Sequence, residues 1–417
     1  MGQRDLALAS HGSPSALAGN DRVALALASA QFFIAGFHIA ATGPVSPRLS
    51  AEWGVQPAEL GILGSLLFYA YAGIQIPAGL LADALGSRRM FILSGLLMGL
   101  GTGIFGAAPN FQVAMLGRLF QGLGAGLIFT AGFRLISNIT AHLPRAQEQF
   151  VARFGLLTGV NYLGVALASI PLVLVVNTFG WRVPLLFASF FSLGIALATW
   201  IAPGVNEVLH SPEGSRLKAA ADTWRSKRTI WGYTLLRFLY GSFVGMQTLW
   251  VVPLLLITFG FDSTVAGIAL LAMALGQAIG PGLGSWLTTR TGKLLQVLTV
   301  ATGVYAASCL LLIVFLFVRP DVPWVIAALF ALAVTQAATL IGYGLVTMRV
   351  ARSLQGTVAG MVNVAPWLGT AFFQLAVGYL VQSLLQTSPP NTGNVYGAAL
   401  VPLAITGVGA LVMTRLL

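Results

Sequence analysis

Twelve runs of apolar residues, each close to the length of a membrane-crossing helix, alternate with short polar breaks along the chain. A hydrocarbon core of ~30 Å takes about 20 residues of α-helix. On that measure the runs fall near 23–44, 58–82, 90–108, 112–137, 151–176, 182–203, 230–258, 264–288, 294–318, 322–348, 356–383 and 395–416. The pattern predicts an all-α, polytopic membrane protein of twelve spans. An even number of crossings returns both termini to one side. The longest polar stretch, 204–229 (GVNEVLHSPEGSRLKAAADTWRSKRT), divides the chain into a six-span half at 23–203 and another at 230–417. Residues 1–22 lack a continuous apolar stretch and read as a disordered tail.

Composition removes the soluble alternatives. Of the 417 residues, 57% are hydrophobic and only 8% are Asp, Glu, Lys or Arg, which excludes a string of soluble domains. A net charge of +11 would suggest nucleic acid for a soluble protein. Here the basic residues crowd the loops on one side, where they set topology, and no nucleic-acid partner is implied. With both termini inside, Arg48, Arg182 and Arg319 fall outside and Arg118 and Arg237 fall within spans; every other Lys and Arg is cytoplasmic. The expected setting is the lipid bilayer of a bacterial inner membrane, with the termini and the 204–229 linker in the cytoplasm and the protein a monomer. The single cysteine, Cys309, lies inside an apolar run and reads as a small packing residue. No metal spacing, phosphate loop or catalytic constellation is visible, so no cofactor, metal or enzymatic activity is expected.

The two halves read as a repeat. A shift of 206 positions pairs Phe32 with Phe238, Phe37 with Phe243, Pro47 with Pro253, Gly54 with Gly260, Gly61 with Gly267 and Gly86 with Gly292. The same shift superposes two loops: Gly79, Asp83, Gly86 and Arg88 follow Gly-x-x-x-Asp-x-x-Gly-x-Arg, and Arg290, Gly292 and Lys293 echo them. A further pattern, Arg118-x-x-Gln121-Gly122-x-Gly124, lies in span 4. These motifs resemble the signatures of the major facilitator superfamily. That resemblance implies two six-helix halves related by pseudo-two-fold symmetry, transport by alternating access, and a loop that latches the halves. The loop departs from the pattern where Ala84 and Ser87 replace basic residues and Thr289 replaces the acid. FYAYAGIQIPAGLLAD, MQTLWVVPLL and GTVAGMVNVAPWLGTAFFQ are similar to sugar-phosphate-permease-like bacterial permeases, whose substrates are largely small organic anions.

An ionisable side chain inside a bilayer is costly and marks a functional candidate. No Asp or Glu falls near the midplane, whereas Arg237 lies in span 7 and His38 in span 1, both cavity helices by the resemblance. Polar and aromatic candidates accompany them: Tyr69 and Tyr71, Asn161 and Tyr162, Gln247 and Trp250, Asn363, Trp367 and Gln374. Packing or interhelix roles compete for Arg118, Arg134 and His38. The imbalance predicts a small anionic substrate gripped by Arg237, with His38 able to load a proton and so couple symport. Proton-coupled drug efflux is the alternative, although Gly159-Val-Asn161-Tyr162-Leu-Gly164 lacks the proline of the drug antiporters' motif. A transporter-like sensor or scaffold is a second alternative.

Overall fold

The computed structural model describes residues 19–141, 143, 146–203, 214–347, 349–350, 355–387 and 392–417. Among the described residues, twelve helices are long and apolar enough to cross a membrane: Gly19–Ala40, Pro57–Ala82, Ala84–Gly106, Phe111–Thr140, Ala152–Phe179, Arg182–Ile201, Arg228–Thr258, Ser263–Thr291, Leu294–Val318, Val322–Val346, Val358–Thr387 and Val395–Leu416, here spans 1 to 12. No strand occurs among the described residues. Helices prevail because a bilayer offers no water to backbone N–H and C=O groups, which must bond within the segment.

The boundaries differ from the sequence reading in informative places. Span 1 begins at Gly19, inside the predicted tail, whose remainder lies outside the described residues. A second helix, Thr42–Trp53, follows span 1 and carries the chain to the far face. The polar linker holds a helix of its own, Gly214–Ser226. Span 5 breaks at Ala168 and Ser169, ahead of Pro171, into Ala146–Leu167 and Ile170–Phe179. Span 7 contains two π-helical stretches, Met246–Trp250 and Leu254–Thr258.

Those π turns correct the repeat. At Gly164 an added Cβ would lie 1.8 Å from the Phe33 carbonyl oxygen, and at Gly369 it would lie 1.9 Å from that of Phe238. Only glycine lets spans 1 and 5, and spans 7 and 11, approach so closely. Gly36 meets Asn161 as Gly241 meets Pro366, so in this part of the repeat the shift is 205. Past the first π turn, Gly54 and Gly260 both adopt positive φ and the shift is 206. A π turn inserts one residue into a helix, and the two π turns of span 7 lie where the shift changes by one. The pairings Phe32 with Phe238 and Phe37 with Phe243 are therefore coincidental, and Phe33 is the counterpart of Phe238.

Spans 1–6 meet spans 7–12 on the face away from Gly19 and Leu417. There the Ala58 amide donates to Gln382 Oε1 at 3.1 Å, Asn177 Nδ2 donates to Ser263 at 3.0 Å, and Gly43, Gly61, Gly267 and Gly378 approach the opposite set. Toward the termini, Gly73 and Gly79 of span 2, Gly155 and Gly159 of span 5, Gly282 of span 8 and Gly360 of span 11 face open space.

Candidate substrate-binding site

Span 7 is the most enclosed of the twelve, with 83% of its apolar window buried. Arg237 lies about 14 Å along it by helical rise. Its side chain is 7% exposed, and Nε and Nη1 have no hydrogen-bond partner. Phenols of Tyr162, Tyr233, Tyr240 and Tyr343 make up its electrostatic surroundings, and no carboxylate joins them among the described residues. Tyr233 and Tyr240 are engaged elsewhere: Tyr233 donates to the Thr339 carbonyl at 3.0 Å, and Tyr240 bonds Thr302 at 2.6 Å. The guanidinium carbon lies 5.8 Å from the ring centroid of Tyr343.

Contacts continue from that ring. Tyr343 donates to Asn363 Oδ1 at 3.3 Å. One helical turn beyond Asn363 on span 11, Trp367 lies 4.4 Å from the Tyr71 ring and stacks on Phe68 at 5.8 Å. Gln75, one turn beyond Tyr71 on span 2, has neither amide atom bonded, and Asn363 Nδ2 and Trp367 Nε1 are also without partners. A buried donor left unbonded costs about 1–3 kcal/mol, so this concentration of idle donors marks a place where a ligand supplies acceptors. The cluster draws on spans 2, 7, 10 and 11, with Tyr162 of span 5 nearby, and so joins both sets of six.

The profile of the Major Facilitator Superfamily matches residues 28–374. The chain belongs to this superfamily. It is similar to a probable sulfoacetate transporter of Cupriavidus necator, 25% identical over 91% of this chain and 90% of the relative. It is similar also to a gentisate transporter of Corynebacterium glutamicum, 28% identical over 67% and 64%, and to a probable chloroplastic anion transporter of rice, 24% identical over 80% and 66%. Among solved structures it shares its fold with a nucleoside transporter, NupG (TM-score 0.73, 13% identity, 95% of this chain and 100% of that one). A bacterial homologue of the lysosomal transporter Spinster gives a TM-score of 0.71 at 15% identity, covering 95% and 98%. The protein is a transporter of this superfamily and not an enzyme.

Several predicted site residues sit elsewhere. Tyr69 is 39% exposed on the face of span 2 opposite Tyr71, because two residues of helix turn the side chain by about 200°. Asn161 donates to the Phe32 carbonyl at 2.8 Å and ties span 5 to span 1. Trp250 donates to the Gln374 carbonyl at 3.2 Å, while Gln374 donates to Thr248 at 2.9 Å, so both pack spans 7 and 11 together. Gln247 is buried near Gly43, ten residues past Arg237, with its Nε2 unbonded. Tyr343 and Gln75 are the members that sequence reasoning passed over. Gln75 carried a signal, since it follows Tyr71 by one turn; Tyr343 carried little beyond its place on a cavity helix.

The superfamily's span-4 motif builds a second polar cluster. Arg118, 1% exposed, donates to Gln121 Oε1 at 2.8 Å, to the His38 carbonyl at 3.4 Å and to the Leu63 carbonyl at 3.5 Å. Gln121 Nε2 donates to Thr102 Oγ1 at 2.8 Å, and Thr102 lies 3.0 Å from His38 Nδ1. Gly122 brings span 4 against the Leu67 carbonyl of span 2. His38 therefore belongs to Arg118's surroundings and not to Arg237's.

The loop motif is resolved in part. Gly86 turns the chain between spans 2 and 3 with φ 78° and ψ 165°, values closed to side-chain-bearing residues. Arg88 donates to the Thr199 carbonyl at 3.2 Å and the Trp200 carbonyl at 2.5 Å, capping the end of span 6. It thus ties parts of the first six spans together instead of bridging to the other six. Gly292 ends span 8 in the left-handed conformation, and Arg290 lies over Trp286 of its own helix at 5.3 Å. Gly79 faces open space, and the side chain of Asp83 lies outside the described residues.

Proposed function

We propose that the protein is a secondary active transporter of a small organic anion, working by alternating access in a bacterial inner membrane with its termini in the cytoplasm. The carrying observation is Arg237, a permanently charged group in the most enclosed span, with two idle donors and no acid beside it among the described residues. An unpaired cation in low dielectric is unfavourable, and a carboxylate, sulfonate or phosphate on the ligand relieves it through paired, charge-assisted hydrogen bonds. The names borne by the relatives support the same sign.

Proton coupling through His38 draws less support from the geometry. His38 is sealed from water beside Arg118, and a proton on it would put two cations in one apolar interior. Counterflow in proteoliposomes with a pooled panel of organic acids, cations and neutral solutes tests the reading. Exchange of acids alone, abolished by Arg237→Leu, is the expected result; exchange of cations or neutral drugs with Arg237→Lys fully active would overturn it.

A further inference from the structure

The site's second feature is a set of rings beside the idle donors. Phe68 and Tyr71 are buried, whereas Trp367, stacked on one and tilted against the other, is only partly covered and has an idle Nε1. Trp367 is thus the least covered of the three rings and the one with an idle N–H. The route from charge to ring is continuous: Arg237, then the Tyr343 ring, then Asn363, then Trp367 one helical turn later. The ligand this geometry accommodates carries its charge at one end and a flat face at the other.

The charge count limits the ligand further. Arg118 is enclosed and its donors are already directed at Gln121 and two carbonyls, and His38 sits with it. Among the described residues Arg237 alone offers positive charge to the cluster, so a second negative group would be desolvated without a partner. Idle donors outnumber idle acceptors here, with Asn363 Nδ2, Trp367 Nε1 and Gln75 Nε2 against Gln75 Oε1. They suit a ligand whose remaining polar atoms accept.

We propose that the site is built for a singly charged acid borne on a flat, unsaturated ring, with the acid group on Arg237 and the ring against Trp367 and Tyr71. The proposal rests on the anion reading above and narrows it. Stacking on an aromatic face follows offset or tilted geometries and adds to simple burial, so a saturated ring of equal size and charge is the discriminating competitor.

The test uses the full chain in nanodiscs, with direct binding of matched probes: benzoate against cyclohexanecarboxylate, benzenesulfonate against cyclohexanesulfonate, phthalate as the dianion and benzamide as the neutral control. The flat member of each pair should bind roughly 3- to 10-fold tighter than its saturated partner, and phthalate should bind more weakly than benzoate. Trp367→Leu should bring the paired ratio close to one, while Trp367→Phe keeps it. Equal binding within the pairs, or tighter binding of phthalate, overturns this proposal and leaves the anion reading standing. Binding of benzamide as tight as that of the acids takes the anion reading down as well.

Discussion

Two buried arginines, Arg118 and Arg237, stand in one membrane protein under opposite conditions. Arg118 is closed in by its own chain, with donors on Gln121 and on the carbonyls of His38 and Leu63. Arg237 is nearly as buried, yet Nε and Nη1 meet no acceptor. Burial alone would have ranked Arg118, 1% exposed, ahead of Arg237, 7% exposed. Unsatisfied hydrogen bonding separates them: a cation whose donors are engaged holds helices together, and one whose donors are idle awaits a ligand. A third arginine, Arg182, completes the scale, paired with Glu52 at 2.6 Å where water reaches both.

The largest effect is expected at Arg118. Arg118→Leu strips Gln121 and two carbonyls of a charged donor, and such bonds are worth about 1.5–3 kcal/mol each. A drop in the thermal midpoint of the detergent-solubilised protein should accompany poor recovery from membranes, with ligand affinity of the surviving folded fraction little changed. Arg118→Leu folding normally but binding poorly would exchange the roles of the two arginines.

Arg237→Lys comes next. It retains the charge and loses the planar fork, so binding of an organic acid should weaken by about 10- to 100-fold, or ~1.4–2.8 kcal/mol. The thermal midpoint without ligand should stay level, because one buried cation short of acceptors replaces another. Equilibrium binding and melting on the same preparation check both halves of the statement.

His38→Gln sharpens the comparison at smaller scale. Glutamine retains a donor for Thr102 and cannot carry the proton, so about 0.5–1.5 kcal/mol of stability is at stake. Concentrative uptake and exchange should fall together or not at all. A selective loss of uptake driven by a proton gradient would move His38 from the structural cluster to the coupling machinery.

The fold was legible because its determinants are coarse. Run length fixed the twelve spans, and the 204–229 stretch marked the division, although the helix Gly214–Ser226 within it was not visible in its polarity. The repeat was legible to within one residue. The error came from a π turn at Met246–Trp250, which arises from tertiary packing and leaves no trace in periodicity. Arg237, on which the proposed site is built, stood out in the sequence because ionisable residues within spans are rare. The polar candidates fared unevenly because hydropathy locates a residue along a helix but not around it. Tyr69 and Tyr71 are two positions apart, yet one is exposed on the outer face and the other touches Trp367. His38 likewise could not be placed around its helix, since its partner Thr102 lies on another one.

The smallest effect belongs to the arginine that water reaches. Arg182 and the Trp181 indole N–H both donate to Glu52, at 2.8 Å each to Oε2, and the Arg182 hydrogen bond chiefly holds the Glu52 carboxyl below its ordinary range. A carboxylate whose folded pKa is depressed contributes stability in full above its unfolded value of about 4.3 and loses that contribution as pH falls through the folded value. Both side chains are more than a third exposed, so screening limits the pair to about 0.2–1 kcal/mol. Glu52→Gln should therefore lower the thermal midpoint slightly at pH 7, and the gap to the unsubstituted protein should narrow as pH is taken below 4. A gap that persists unchanged into acid would mean that the Trp181 contact and packing at this corner, and not the charge on Glu52, hold it.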